Sequence, residues 1–444
     1  MLSPKNARLV ARPMLSWQGW GIAAACLGSF IVATSALANT FAISLPEAQR
    51  LAIERSRQLA AKDYAVAAST DMAIAAGQLP DPVVSAGIEN LPLSGDERFS
   101  LSKESMTMRR IGVMQEITRS EKRRYRSERY EREAEKGLAE KANTIAAIQR
   151  DTALAWLDLY YAQQAAQIVS ETGDQAKLEI QAAQGAYRGG RGTQSDVIAA
   201  QSALTSFEDR MSEAKRRVTT AKTMLARWIG EAAYSPLAML PELNAIRLDK
   251  TSLATELAHH PEISVLKKQE EVAVAEANLA RANKKADWSV ELAYQQRGSE
   301  YGDMVSVGIS IPLQWDQKNR QERELAAKLA MVEEAKAERE EQLRMHIAQT
   351  EVLINEWQNG KERLGRYRQE LIPLANQRTA AAIAAYRGGK GMLSDVLMAR
   401  RNEIDTRLQA LQLEMDTARL WAQLNYLTPD DSLANPHHPS AGEK

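Results

Sequence analysis

The sequence predicts a chain built from two copies of one unit, each with long helical hairpins joined to a pair of short strands. Three observations carry this. A glycine-rich turn occurs twice, a 199-residue offset aligns apolar positions far from that turn, and two segments alternate apolar and polar residues with period two. The 444-residue chain is only 5% aromatic and is rich in Ala, Glu, Gln and Arg, which favours long helices over mixed globular cores.

The repeated turn reads AYRGGRGTQSDV from Ala186 and AYRGGKGMLSDV from Ala385. The same offset pairs Ile148 with Ile347, Leu154 with Leu353, Ala200 with Ala399 and Leu225 with Leu424. The repeats are assigned to 39–235 and 236–428, and Pro236, Pro241 and Pro261 punctuate the junction between them. Residues 429–444 read as a disordered tail.

Each unit runs helix, two strands, very long helix, glycine turn, long helix. In the first unit Leu45 to Gln78 reads helical, and no proline interrupts Glu121 to Tyr187. A helix of that length reaches on the order of 100 Å. Its partner starts after Gly192, with Thr193 or Ser195 as N-cap, and runs to about Trp228. The second unit repeats this over Gln321 to Tyr386 and Ser394 to Tyr426, with Pro373 expected to kink or break the first of those helices. Ile145, Ile148, Thr152, Ala155, Leu159 and Ala162 recur at three- and four-residue steps, which is a coiled-coil seam.

The strands separate this chain from a plain coiled-coil scaffold. From Trp288 the sequence WSVELAYQ places Trp288, Val290, Leu292 and Tyr294 on one face. After a polar turn, Val305, Val307, Ile309 and Ile311 share a second apolar face that ends at Pro312. The first unit has weaker equivalents over Pro82 to Asn90 and Thr107 to Ile117, with Val84, Ala86 and Ile88 on one face. Each segment is close to the 9–11 residues of a tilted membrane strand. Four strands cannot close a barrel, and in lipid every strand edge must be paired, so membrane-spanning strands require several chains to pool them. Three chains supply twelve strands, within the known range of outer-membrane barrels. The expected fold class is a membrane β-barrel continued by an all-α tunnel, each chain giving four barrel strands and long coiled-coil hairpins.

Residues 1–38 read as a secretory signal peptide. Lys5, Arg8 and Arg12 precede an apolar run from about Gly21 to Ala33, and Ala36-Leu37-Ala38 supplies the small-x-small cleavage pattern. The run is shorter than a spanning helix needs. Cys26, the sole cysteine, lies within it, and Ala23-Ala24-Ala25 lacks the leucine usual before a lipidated cysteine. Removing the leader leaves a net charge near −3, which gives no electrostatic case for nucleic acid. The cluster of Arg119, Lys122, Arg123, Arg124 and Arg126 is interleaved with Glu121 and Glu128 and reads as a solvated helix face.

These features coincide in one family. Over its mature length the chain resembles the TolC-type outer-membrane efflux channels, through the paired motif Y-x-x-G-x-x-x-x-x-D-[VI]-[IL]: Tyr187, Gly190, Asp196, Val197 and Ile198, then Tyr386, Gly389, Asp395, Val396 and Leu397. The resemblance implies a homotrimer with a twelve-stranded barrel in outer-membrane lipid and an α-helical tunnel in the periplasm. It implies hairpin tips at Tyr187, Gly189, Gly190 and Arg191 and at Tyr386, Gly388, Gly389 and Lys390, docking a periplasmic adaptor (membrane fusion) protein that couples to an inner-membrane RND-type pump. It assigns Asp196 and Asp395 to closure of the tunnel entrance. The second copy departs from the best-known drug-export member: Gly391 replaces an arginine and Met398 a second aspartate, so that member's arginine latch lacks its residues here. The stretch ISIPLQWDQKNRQERELA from Ile309 resembles the heavy-metal (CzcC-like) branch, which implies metal-ion efflux.

Other chemistry finds little support. Walker loops need Gly-Lys followed by Ser or Thr, whereas these turns read Gly-Arg-Gly-Thr and Gly-Lys-Gly-Met. His259, His260, His346, His437 and His438 lack the spacing of a helix-borne zinc site, and the mature chain has no thiol, so no enzymatic activity, cofactor or metal site is expected. The plainer account of Asp196 and Asp395 is helix capping, and that of Tyr187 and Tyr386 is packing within the hairpin. Threefold assembly would in addition ring the entrance with six carboxylates, a common cation-selective device.

Overall fold

A computed structural model describes residues 42–190, 192–249 and 251–430. The expected leader with Cys26, the tip residue Arg191, and residues 431–444 with His437 and His438 lie outside the described residues. The element order is α1 (Leu45–Arg55), α2 (Arg57–Ala76), β1 (Val83–Glu89), β2 (Met108–Ile117), α3 (Ser120–Arg188) and α4 (Gln194–Ile229). It then repeats as α5 (Leu253–Ala258), α6 (Pro261–Asn283), β3 (Trp288–Gln296), β4 (Met304–Ser310), α7 (Gln321–Arg366), α8 (Ile372–Arg387) and α9 (Leu393–Asn425).

The helix expected over Leu45 to Gln78 is two helices. Ser56 leaves helical geometry, ends α1, and accepts the Leu59 N–H at 3.3 Å to start α2. The helix α3, 69 residues long, packs on α2 and α6 in its first part, on α1 and α9 in its middle, and on α4 toward its end. Its buried face therefore changes along its length, and no single apolar stripe marks it.

The main core lies midway along the helical body, where α1, α3, α4, α5, α7 and α9 meet. Trp156 is fully buried there and donates its indole N–H to the Ile43 carbonyl at 3.0 Å. Trp421 does the same to Ala245 at 2.8 Å, and Gln49 donates to the Gln149 carbonyl at 2.9 Å. The seam residues Ile148, Thr152, Ala155 and Leu159 are buried in this belt. Chain segments from both repeats join here through a parallel bridge of Ile43 with Leu237.

Two expectations are altered by the structure. Pro373 does not break its helix: a π-turn over Tyr367–Leu371 precedes it and lets the helix run on as α8, with proline in the first turn where its missing N–H costs least. The basic cluster after β2 is not a uniformly solvated face. Lys122 is buried and paired with Asp287 at 2.7 Å, while the Arg119 backbone N–H also donates to Asp287 at 3.0 Å. Arg119 and Arg124 of that cluster are exposed, while Arg123 and Arg126 are half-buried. These residues pin the start of α3 to the start of β3.

Candidate functional site

The four strands form one antiparallel sheet in the order β1-β2-β3-β4. The register opposes Val84 to Val113, Ile111 to Tyr294, Val113 to Leu292, Leu292 to Val307 and Val290 to Ile309. The apolar residues of all four strands thus share one face, and that face is open: Val307 is 71% exposed, and Val84, Ile111, Leu292, Val305 and Ile309 are exposed with it. The other face carries Ser85, Glu89, Arg110, Glu291, Gln295 and Ser306. Arg110 pairs there with Glu89 at 3.3 Å and with Glu291. On the same face Gly112 fits between its neighbours, where a Cβ would crowd Ser85 Oγ at 3.0 Å and Ala293 Cβ at 3.2 Å.

Such a sheet is inverted relative to a soluble one, whose apolar face would be covered. β2 and β3, at 10 and 9 residues, have the length of tilted membrane strands, while β1 and β4 have 7 each. Trp315, just past β4, is 89% exposed, and Trp288 opens β3. Amphipathic rings suit an interfacial girdle. The outer edges of β1 and β4 have no partner strand among the described residues. No helix of the described residues is long and apolar enough to cross a membrane.

At the opposite end of the helices lie the two glycine turns. Gly190 and Gly389 adopt φ of +72° and +69°, a left-handed conformation that reverses the chain at little cost only in glycine. In each turn the N–H of the preceding glycine closes the helix, Gly189 to Gly185 and Gly388 to Ala384, both at 3.0 Å. Gly190 and Gly389 then donate to Tyr187 and Tyr386, again at 3.0 Å. The backbone of the two tips is nearly the same.

Their side chains are not. At the first tip Thr193 and Asp196 form a reciprocal capping box: the Asp196 N–H donates to Thr193 Oγ1 at 3.2 Å, and the Asp196 carboxylate accepts the Thr193 N–H at 2.9 Å. The Thr193 hydroxyl also donates to that carboxylate at 2.7 Å. These hydrogen bonds from Thr193 hold the Asp196 carboxyl below its ordinary pKa. At the second tip Met392 occupies the cap and offers a weakly accepting thioether in place of an oxygen, while the Asp395 carboxylate accepts the Met392 N–H at 3.3 Å and is exposed.

Packing differs as sharply. Leu393 is 2% exposed in a cluster with Ile180 and Ala183 of α3 and Ala200 of α4, and Tyr386 packs against that cluster. At the first tip the equivalent of Leu393 is Gln194, which is exposed, and Tyr187 is 46% exposed. Lys390 is exposed. Behind the tips, Arg400 of α9 reaches Glu179 of α3 at 2.9 Å and Glu403 at 3.1 Å, while Arg407 bonds Glu403 at 3.0 Å and Asn376 of α8 at 3.2 Å. Arg400, Glu179 and Glu403 are largely shielded from solvent. This network fastens the second hairpin to the first, and sequence reading did not single it out because its members come from three helices.

Spacing along a single helix does not relate the histidines to one another. The structure brings His260 and Glu262 of α6 beside His346 of α7, in one group of potential metal ligands.

Scans of the chain against protein-family models and against curated protein sequences find no match. Among solved structures, the chain is similar to the outer-membrane channel OprN, with 18% identity, a TM-score of 0.71, and coverage of 87% of this chain and 90% of that one. The outer-membrane protein VceC of Vibrio cholerae gives 19%, 0.71, 86% and 95%. CusC, whose structures describe transmembrane channel formation, gives 14%, 0.72, 87% and 92%. At such identities the likeness is one of fold: over most of its length this chain shares the architecture of outer-membrane channels of known structure.

Proposed function

We propose that the chain is the outer-membrane channel of a tripartite efflux system. Three copies pool their four-stranded sheets into one twelve-stranded barrel, and the helices continue it as a periplasmic tunnel that is a passive conduit without catalysis. The observation that carries this reading is the sheet itself. Its apolar face is bare, its polar face is lined by Arg110, Glu89 and Glu291, and among the described residues both its edges lack partner strands, a state that lipid forbids for a lone chain but that closure with neighbours resolves. The shared fold with outer-membrane channels supports it. Fractionation tests it against a structural periplasmic coiled coil. The channel stays with the outer membrane until detergent is added, whereas release by osmotic shock or salt alone would exclude it.

The tips are the docking and gating end. A periplasmic adaptor binds around Tyr187, Gly189, Gly190 and Arg191 and around Tyr386, Gly388, Gly389 and Lys390, linking the channel to an inner-membrane RND-type pump. Asp196 and Asp395 of three chains bias the entrance toward cations. In planar bilayers the double variant Asp196→Ala, Asp395→Ala then loses cation preference; unchanged conductance and selectivity would remove the aspartates from the gate. Charge reversal at Arg191 and Lys390 is expected to weaken co-purification of the adaptor.

For the cargo we propose divalent heavy-metal cations, on the resemblance of the stretch from Ile309 to Ala326 to the heavy-metal branch. Loss of the chain should sensitise its host to such cations and leave drug tolerance unchanged. The reverse pattern would favour drug efflux, and a secreted polypeptide retained in the cell would favour type I secretion.

A further inference from the structure

His260, Glu262 and His346 meet near the middle of the helical body, where the start of α6 packs on α7. One donor atom of each residue lies within 4.8 Å of the other two, and the imidazole centroids are 4.3 Å apart. His260 and His346 are 5% and 8% exposed, and the Nε2 atom of each has no hydrogen-bond partner. The Leu427 carbonyl favours the charged form of His260 without reaching hydrogen-bond geometry with Nε2. Buried polar atoms are nearly always satisfied, so two orphans on neighbouring rings ask for a partner. Burial and the neighbouring His346 hold His260 down at about 4, and burial also lowers His346.

The first repeat carries other side chains at the comparable points. In the first repeat Ser56 caps α2 as His260 caps α6, and Ala147 stands 199 positions before His346. Serine and alanine suffice there, so the two histidines are an addition particular to the second repeat.

We propose that His260, Glu262 and His346 bind a divalent transition-metal ion of the zinc class. Two imidazoles and a carboxylate form a donor set suited to such an ion, and three protein ligands leave a fourth position for water. Donors 2.0–2.1 Å from zinc lie roughly 3.3 Å from one another, so loading closes the group by at most about 1.5 Å. Glu262 is half-buried, and its carboxylate accepts a hydrogen bond from Gln342 Nε2 at 2.8 Å that orients it. Ligation through His260 Nε2 moves the ring proton to Nδ1, which gives up the weak 3.2 Å capping contact from the Glu262 N–H. The bound ion ties α6 to α7, and this assignment stands whether or not the chain is an efflux channel.

The test is calorimetric titration of zinc chloride into the untagged, chelator-stripped full chain in detergent. The wild type is expected to bind one zinc ion per chain at this site. The double variant His260→Ser, His346→Ala, which carries the first repeat's residues, should bind it about tenfold more weakly or not at all, with helical content and particle size unchanged. Should that variant fail to fold, Glu262→Gln is expected to weaken zinc binding in a folded chain. A wild type that binds no zinc, or folded variants that bind it as the wild type does, overturns the proposal.

Discussion

The two hairpin tips share a sequence pattern and a backbone yet do different physical work. The first is locally self-sufficient: Thr193 and Asp196 satisfy each other, and Tyr187 and Gln194 face outward. The second lacks a capping oxygen and is held from outside, through Leu393 packed on α3 and α4 and through Arg400 bridging to Glu179. The two turns share one backbone and differ in what holds it in place. Capping accounts for Asp196 as it stands, whereas Asp395 is exposed and accepts a single 3.3 Å hydrogen bond, so under the proposed function it is the carboxylate with more freedom to act on ions. The chain thus presents two inequivalent tips, one free-standing and one braced, where the paired motifs alone suggest near-equivalent ones.

The largest effect expected from this contrast falls on Leu393. Leu393→Gln, which installs the first tip's residue, should cost about 2–4 kcal/mol of local stability, while Gln194→Leu should cost almost nothing. Hydrogen exchange at the tip amides reads both, and equal effects would erase the distinction. Next come the glycines. Gly190→Ala and Gly389→Ala should each cost about 1–2 kcal/mol, because both positions demand a left-handed backbone, and here the tips should agree. Thr193→Ala should then cost about 1 kcal/mol, whereas Met392→Ala should be neutral and Met392→Thr should gain about 0.5–1 kcal/mol by completing the box. The smallest change is in selectivity: Asp395→Asn should lower cation preference in planar bilayers more than Asp196→Asn does.

Much of this was legible in the sequence because it rests on local physics. The period-two alternation from Trp288 and from Val305 marks strands and also the face they share, since register follows from the pleat. The long proline-free run to Tyr187 delivers α3 to within a residue or two at each end. The glycine turns declare themselves because only glycine tolerates the conformation at Gly190 and Gly389. What stayed hidden depends on which helix lies beside which. Lys122 reads as a surface charge until Asp287 is brought against it. The two tips read as equivalent until Leu393 is seen against Ile180 and Ala183. His260 and His346 read as stray histidines until α6 docks on α7. Pro373 reads as a helix breaker because spacing alone does not reveal a π-turn that absorbs it.

The central claim is that the four strands are one third of a closed barrel. Native mass measurement of the chain extracted in detergent tests it most directly. A particle of three chains, with the outer edges of β1 and β4 as protected from hydrogen exchange as β2 and β3, is the predicted result. A single chain in the micelle with freely exchanging edges would contradict it.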